Sequence, residues 1–197
     1  MKSVISILIL SFAIACLEIA APFPAVAVYT ISQTVNASVK SSNSLEFYTD
    51  ANVLYGSSIP FTDIDPESQY NYPDGRAEND GKSDVGLVMI SNSNEVWYFK
   101  IRGTDVSGNL ISGGNIAVYV GQPINRNTGT ATDGTLGQPK DWFTIMTRDH
   151  TIYTSGATDK NNVPFGTLVT LSFKVDGSGL QPGPHMAAIT YTMTTTP

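Results

Sequence analysis

Cysteine is almost absent from this sequence. The 197 residues contain one, Cys16, within the segment that we predict is removed on export. The remaining chain then has no disulfide, although small exported domains often depend on one. About 170 residues suffice for a single domain that buries its own core. We therefore expect packing and sheet hydrogen bonds to stabilise the fold.

Histidine is scarce too, and the common catalytic motifs are missing. The chain has two histidines and no H-E-x-x-H, G-x-S-x-G or glycine-rich phosphate loop. Glycosidase chemistry needs two carboxyl groups on either side of a cleft. The candidate carboxylates here fall within a single loop. The sequence therefore predicts a protein that is not an enzyme and has no cofactor, with calcium as the one exception considered below.

Charge is sparse and mostly negative. Charged residues make up 14% of the chain and the net charge is −6, whereas about 25% charged residues is typical. Nucleic-acid binding draws on clustered lysine and arginine, so we predict no nucleic-acid partner. A polar but weakly charged surface is typical of extracellular proteins.

The N-terminus has the order of a signal peptide. Lys2 precedes an apolar stretch from Val4 to Leu17, and small residues lead to Ala27. The apolar stretch is shorter than the roughly 20 residues that span a bilayer. We predict that residues 1–27 are a signal peptide and that residues 28–197 form one secreted domain, extracellular or at the cell surface.

Two alternatives to cleavage after Ala27 remain open. Ala13-Ile14-Ala15 before Cys16 loosely resembles a lipobox, which would place a lipid anchor at Cys16. The apolar stretch could also stay as an uncleaved anchor. With cleavage at Ala27, no stable membrane span is expected.

Alternation of apolar and polar residues recurs along the whole chain, and no long segment has a helical period. The pattern predicts an all-β protein, a single β-sandwich of Ig-like or jelly-roll type with eight or nine strands. A hairpin with a turn at Ser91–Asn94 is expected, and a second turn at Asp149–His150 between two further strands. Trp97 is predicted to lie in the core. The predicted strands are Tyr29–Val39, Ser44–Thr49, Val85–Ile90, Glu95–Arg102, Asn115–Val120, Trp142–Arg148, Thr151–Thr154, Leu168–Val175 and Met186–Thr196.

Two polar stretches, Pro60–Asp84 and Gln122–Lys140, lack alternation and are predicted to be loops. The first is acidic. Calcium takes six to eight oxygen ligands from flexible loops, so this loop is a candidate calcium site, although its spacing is not that of an EF-hand. The alternative is a solvated acidic loop shaped by proline and glycine. The candidate metal ligands are Asp63, Asp65, Asp74, Asp80 and Asp84.

Aromatic side chains offer a second candidate site. Rings can stack on the apolar faces of sugars, and tyrosine hydroxyls can bond to sugar edges. Single exposed tyrosines are also common on strands. The candidates for a glycan platform are Tyr70, Tyr72, Tyr98, Tyr119 and Tyr153.

Asn36-Ala37-Ser38 is an N-glycosylation sequon. Asn36 falls on the polar face of the first predicted strand, where a glycan would stand in solvent. Because three-residue motifs also arise by chance, the sequon is a prediction that depends on the host.

The segment from Val28 to Val39 is an alternating strand at the start of the predicted mature chain. Terminal strands can be exchanged between copies, and exported β-domains can polymerise by adding a neighbour's strand. The alternative is that this strand pairs within its own sandwich. The positions predicted to face the core, of this or a neighbouring molecule, are Tyr29, Ile31, Val35, Ala37 and Val39.

The export signal, the single sandwich, the N-terminal extension and the ending Gly183-Pro184-His185-Met186 give the chain a resemblance to Ig-like subunits of extracellular fibres and pilus-type appendages. Such subunits join by donor-strand complementation. The resemblance implies a non-enzymatic structural subunit of a surface layer or filament, with self-assembly as its partnership. The alternative function is a carbohydrate- or calcium-binding surface module.

Overall fold

The computed structural model describes residues 29–37, 43–62, 64–78, 80–138 and 141–197. The predicted signal peptide and Cys16 lie outside the described residues. The described ranges contain thirteen strands and one 3₁₀ turn, Pro73–Gly75. The strands are β1 Tyr29–Ala37, β2 Asn43–Tyr48, β3 Val53–Tyr55, β4 Ser58–Phe61, β5 Ser83–Ser91, β6 Tyr98–Ser107, β7 Ile116–Val120, β8 Ile124–Asn125, β9 Thr135–Leu136, β10 Trp142–Thr144, β11 His150–Thr154, β12 Thr167–Val175 and β13 His185–Thr194.

The strands form two sheets. Sheet A has the order β4-β1-β13-β6-β11-β9, and sheet B has the order β10-β7-β12-β5-β2. Beside this path, β3 pairs with β5 and β8 pairs with β12. Most neighbours are antiparallel, but β1 runs parallel to β13. β3 also runs parallel to β5.

The core lies between the two sheets. Strands β5, β12 and β13 each place alternate apolar side chains on the inner face, as the period of two requires. Trp97 is fully buried beside Tyr153, with ring centroids 5.5 Å apart. Its indole Nε1 donates to the Asp159 carbonyl at 3.2 Å. The predicted all-β sandwich and the core position of Trp97 are both confirmed.

The predicted hairpin is wrong. β5 belongs to sheet B and β6 to sheet A, so the segment around Ser91–Asn94 crosses between sheets. β10 and β11 are separated in the same way. Alternation reveals which side chains face the core, but both sheets face the same core, so the pattern does not say which sheet a strand joins.

Polar side chains hold the crossing from β5 to β6 at both ends. The Ser91 amide donates to Asn162 Oδ1 at 2.7 Å, and the Trp97 amide donates to Ser155 Oγ at 2.9 Å. The serine and asparagine partners are buried. Buried side chains therefore satisfy the backbone amides at the two ends of the crossing.

The two predicted loops are confirmed in part. Between β4 and β5, the described residues of the stretch Pro60–Asp84 form no regular element other than the 3₁₀ turn. The stretch Gln122–Lys140 contains the two-residue strands β8 and β9. Strands this short carry too little alternation to be seen in the sequence. In the part of the chain that the structure describes, no helix has the length and hydropathy needed to cross a membrane.

Candidate functional site

β1 occupies the position between β4 and β13 in sheet A. All nine residues pair with β13, from Tyr29 opposite His185 to Ala37 opposite Met193. Its first four residues also pair with β4. Among the described strands, β4 pairs with β1 alone. The strand predicted to be exchangeable therefore joins β4 to the rest of sheet A.

Gln33 is the one side chain of β1 that the structure describes, and it is buried. Its Oε1 accepts from the Tyr191 hydroxyl, and its Nε2 donates to the Gly56 carbonyl at 3.1 Å. Its backbone amide donates to the Ser57 carbonyl at 3.0 Å. The five predicted core positions are all odd-numbered, and so is Gln33. Alternate residues of a strand share a face, so the burial of Gln33 agrees with the predicted inner face.

The buried side-chain amide of Gln33 favours one register of β1. A shift by one residue would move Gln33 to the opposite face and leave the Tyr191 hydroxyl without its partner inside the core. An unpaired buried polar group costs about 1–3 kcal/mol. Gln33 therefore stabilises one register of β1 over its neighbours.

Several predicted positions lie outside the described residues. Val39 is among them, and so is the candidate metal ligand Asp63. For Tyr29, Ile31, Val35 and Ala37 the structure describes the backbone, which is part of β1, and not the side chain. The same holds for the sequon residue Asn36. These site assignments stay predictions.

Asp84, at the start of β5, has no exposed surface. Its Oδ1 lies 2.7 Å from Nη2 of Arg76, and its Oδ2 accepts from the Phe173 amide at 2.6 Å. Burial raises the pKa of Asp84 to about 6, against the lowering effects of the Phe173 amide and the Arg76 guanidinium. The second arm of Arg76 reaches Asp80, with Nη1 3.6 Å from Oδ2. A guanidinium thus lies where these two carboxylates converge.

The other candidate ligands that the structure describes, Asp65, Asp74 and Asp80, have partners of their own. Asp65 Oδ1 accepts a backbone amide two residues further on, at 2.9 Å, and closes a turn. Asp74 Oδ2 accepts from the Tyr55 hydroxyl at 2.6 Å. Asp80 Oδ1 accepts from the Lys82 amide at 3.0 Å. Each of these three carboxylates therefore accepts a hydrogen bond from within the protein.

Within the described ranges, no three histidine, cysteine, aspartate or glutamate side chains converge as metal ligands. Calcium binding by the acidic loop stays a prediction, and a calcium-dependent rise in melting temperature is the measurement that tests it.

The predicted aromatic candidates differ in burial and in the sheet to which they belong. Tyr153 is fully buried, so its predicted outward position is wrong. The register of β11 against β6 shifts between Thr151 and Tyr153, and Ile152 and Tyr153 are consecutively buried. This bulge breaks the alternation on which the prediction rested. Tyr98 is partly exposed but lies in sheet A, away from the other candidates.

Tyr72 and Tyr119 meet around an aromatic residue that the prediction did not include, Trp142. The Trp142 and Tyr119 ring centroids are 5.9 Å apart, and the two residues are opposite each other in the pairing of β10 with β7. Tyr72 meets Trp142 edge-on at 6.2 Å. All three are partly exposed. Their contact depends on a pairing between distant segments, which no local sequence pattern reveals.

Lys174 also contacts this aromatic group. Its Nζ lies 4.4 Å from the Trp142 ring centroid and 3.9 Å from that of Tyr70, which is 51% exposed. Such cation–π contacts contribute about 0.5–1 kcal/mol each at exposed sites. They fix the position of the indole ring at the surface of sheet B.

The three rings line a cleft of about 350 Å³ between sheet B and the loop before β5. We call it the aromatic cleft, and its aromatic lining is Tyr72, Tyr119 and Trp142. The loop side contributes charged and small residues, and Ser172 of β12 contributes a hydroxyl to the floor. The remaining lining residues are Arg76, Ala77, Glu78, Asp80, Gly81, Lys82 and Ser83.

No protein-family model matches the chain, and no curated protein matches its sequence. Function is therefore inferred from the geometry of two features, the position of β1 in sheet A and the aromatic cleft on sheet B.

Proposed function

We propose that the protein is a non-enzymatic structural subunit of an extracellular surface layer or filament, in which copies are joined by exchange of β1. The observation that carries this proposal is the place of β1 between β4 and β13. The contacts that β1 makes within one chain are equally available to β1 of a neighbour, because both copies have the same sequence.

The pairing of β4 favours this mechanism. Without β1, β4 has no strand partner among the described residues, and β13 has an open edge nine residues long. Open edges of this length bind added strands through main-chain hydrogen bonds. A protomer that releases β1 thus presents a site shaped for β1 of another protomer.

Gln33 gives the exchanged strand its register. In a neighbour's groove, as within one chain, its amide would meet the Tyr191 hydroxyl and the Gly56 carbonyl. Main-chain pairing alone tolerates slippage, whereas a buried polar contact specifies one alignment. This specificity is what a regular filament requires.

The test compares protein expressed from Val28 with a variant that begins after Val39. Electron microscopy and light scattering are run over a range of concentrations. We expect the longer protein to form regular fibres and the shorter one to form none. A longer protein that stays monomeric at every concentration would overturn the proposal.

A synthetic peptide of residues 29–39 sharpens the test. In excess it is expected to occupy the groove of the shortened variant and to stop fibre growth of the longer protein. The matched control is the same peptide with Gln33→Leu, which has a similar size but cannot bond to Tyr191 and Gly56. We expect the control peptide to bind at least about tenfold more weakly, from the loss of one or two buried hydrogen bonds.

A further inference from the structure

We infer that the aromatic cleft is a binding site for a neutral saccharide chain, with Trp142 as the stacking platform. This site lies on sheet B and is separate from the strand-exchange surface on sheet A. It gives the protein a ligand in addition to the copies of itself with which it is proposed to assemble.

The platform is positioned before any ligand arrives. Tyr119 and Tyr72 contact Trp142 at ring-centroid distances of 5.9 and 6.2 Å, and Lys174 contacts the indole at 4.4 Å. A side chain held by three neighbours loses little conformational freedom on binding. Aromatic rings of this kind supply a large contact area with polar groups at their edges.

The polar lining suits hydroxyl groups, which both donate and accept hydrogen bonds. Ser83 and Ser172 offer hydroxyls, and Glu78 is an exposed carboxylate on the loop side. The Tyr72 hydroxyl is buried, and both this burial and the nearby Glu78 carboxylate raise its pKa, so Tyr72 contributes its ring to the lining. A pyranose ring presents an apolar face for stacking and a hydroxyl edge for these groups.

Charge excludes a strongly charged ligand. The lining contains two cationic side chains, Arg76 and Lys82, and two anionic ones, Glu78 and Asp80. Arg76 is also paired with the buried Asp84. The four charges of the lining therefore balance, and Lys174, which contacts the indole, is not part of the lining. A balanced lining favours a neutral ligand over a polyanion.

The size of the cleft agrees with one or two sugar units. Its volume of about 350 Å³ is at the lower end of the range of about 300–1,000 Å³ for small-molecule sites. A longer chain would extend from the cleft along the surface. Proline-rich peptides also bind aromatic-lined grooves, so such a peptide is the competing occupant in the test.

The two tryptophans make binding measurable in the purified protein. Trp97 is fully buried in the core, whereas Trp142 is partly exposed in the cleft. A change in intrinsic fluorescence on titration therefore reports Trp142. The probes are cellohexaose, chitohexaose and mannohexaose as neutral chains, oligogalacturonate as a charged chain, and a proline-rich decapeptide.

We expect at least one neutral hexasaccharide to shift the tryptophan emission to shorter wavelength and to saturate, while oligogalacturonate and the peptide have no effect. Calorimetry then measures affinity in variants. Trp142→Ala and Tyr119→Ala are expected to weaken binding at least about tenfold, which is a loss of about 1.4 kcal/mol or more. The matched control, Tyr98→Ala, removes a partly exposed ring from sheet A and is expected to leave affinity unchanged.

Removing a ring could also damage the fold, so a further variant, Lys82→Ala, is included. Lys82 lines the cleft but is exposed, so its replacement is not expected to disturb packing. It is expected to weaken binding without changing the melting temperature. Absence of saturable binding by all three neutral chains would overturn the proposal. So would tight binding of the peptide alone, or equal affinities in Trp142→Ala, Lys82→Ala and the Tyr98→Ala control.

Discussion

Asp84 carries a carboxyl group with no exposed surface, and its ion pair with Arg76 spans 2.7 Å. Charged groups in such places are costly to desolvate, and the ion pair returns only part of that cost. Burial raises the pKa of Asp84 to about 6, although the Phe173 amide and Arg76 both favour the ionised form. The folded protein therefore binds a proton at Asp84 more readily than the unfolded chain does.

This difference predicts how stability changes with pH. Between about pH 4 and 6 the folded state holds a proton at Asp84 that the unfolded chain has released, so the contribution of Asp84 to the free energy of unfolding falls as pH rises. Above about pH 6 it is constant. The rise in the pKa of Asp84 from 3.8 to about 6 corresponds to a loss of about 3 kcal/mol in the free energy of unfolding over this interval.

Urea unfolding of the wild type and of Asp84→Asn across pH 3 to 8 measures this contribution. Because Asn does not titrate, the wild-type minus variant difference in the free energy of unfolding isolates Asp84. We expect that difference to fall between pH 4 and 6 and to be flat above. A difference that rises over this interval would show that Arg76 outweighs burial.

Single residues show how far sequence patterns reach. Trp97 was correctly predicted as core because it shares a parity with Phe99 and Ile101, which are also buried. Tyr153 was predicted to face outward, and the bulge beside it turned it inward. Local sequence does not predict Trp142 as a site residue, because its contacts are with Tyr72 and Tyr119, which are distant in sequence. Local sequence patterns predict which side chains are buried better than they predict which distant residues are in contact.

Among the elements, β1 is the one on which the proposed assembly depends, and its pairing with β4 offers a way to hold it in place. The Gln33 amide bonds to the Ser57 carbonyl, which makes Gln33 and Ser57 a hydrogen-bonded antiparallel pair. The adjacent pair, Ser32 and Ser58, is then a non-hydrogen-bonded pair, in which Cα atoms are about 4.5 Å apart. This distance is within the range for a disulfide.

We predict that Ser32→Cys/Ser58→Cys, oxidised as a dilute monomer, cannot exchange β1 and stays monomeric on concentration. Protein expressed from Val28 contains no other cysteine, so only this pair can form. Light scattering before and after reduction measures the effect, and reduction is expected to restore assembly. Fibre formation by the fully oxidised protein would exclude exchange of β1 as the mechanism.

The longer strands could be predicted and their partners could not. The predictions for Ser44–Thr49, Leu168–Val175 and Met186–Thr196 match β2, β12 and β13 to within two residues at each end. Alternation has the same form in either sheet, so β5 and β6, which are adjacent in sequence, were assigned to a hairpin that does not exist. The position of β1 beside β13 also depends on contact between segments about 150 residues apart, as the register of Tyr29 with His185 shows.

Across the whole molecule, central strands of the sheets pair on both sides over many residues, whereas some edge strands are short. β13 pairs on both sides, with β1 and β6, and four of its side chains have no exposed surface: Ala187, Ile189, Tyr191 and Met193. β9 and β10 are edge strands of two and three residues. Amides in the centre are released by global unfolding, whereas edges open locally.

Hydrogen–deuterium exchange followed by mass spectrometry measures this gradient. We expect peptides from β13 to exchange at the rate set by global unfolding, and peptides from β9 and β10 to exchange at least about a hundredfold faster, since about 3 kcal/mol less is needed to open them. Equal protection of β9, β10 and β13 would contradict this order.

The parallel alignment of β1 and β13 also decides how the molecule carries tension. The first residue of β1, Tyr29, lies opposite the first residue of β13, His185, and the last residue, Ala37, lies opposite Met193. A pull on the leading end of β1 against the trailing end of β13 therefore acts along the strands as shear. Shear loads all nine paired positions together, whereas peeling would load them one at a time, so this strand pair resists stretching as a unit.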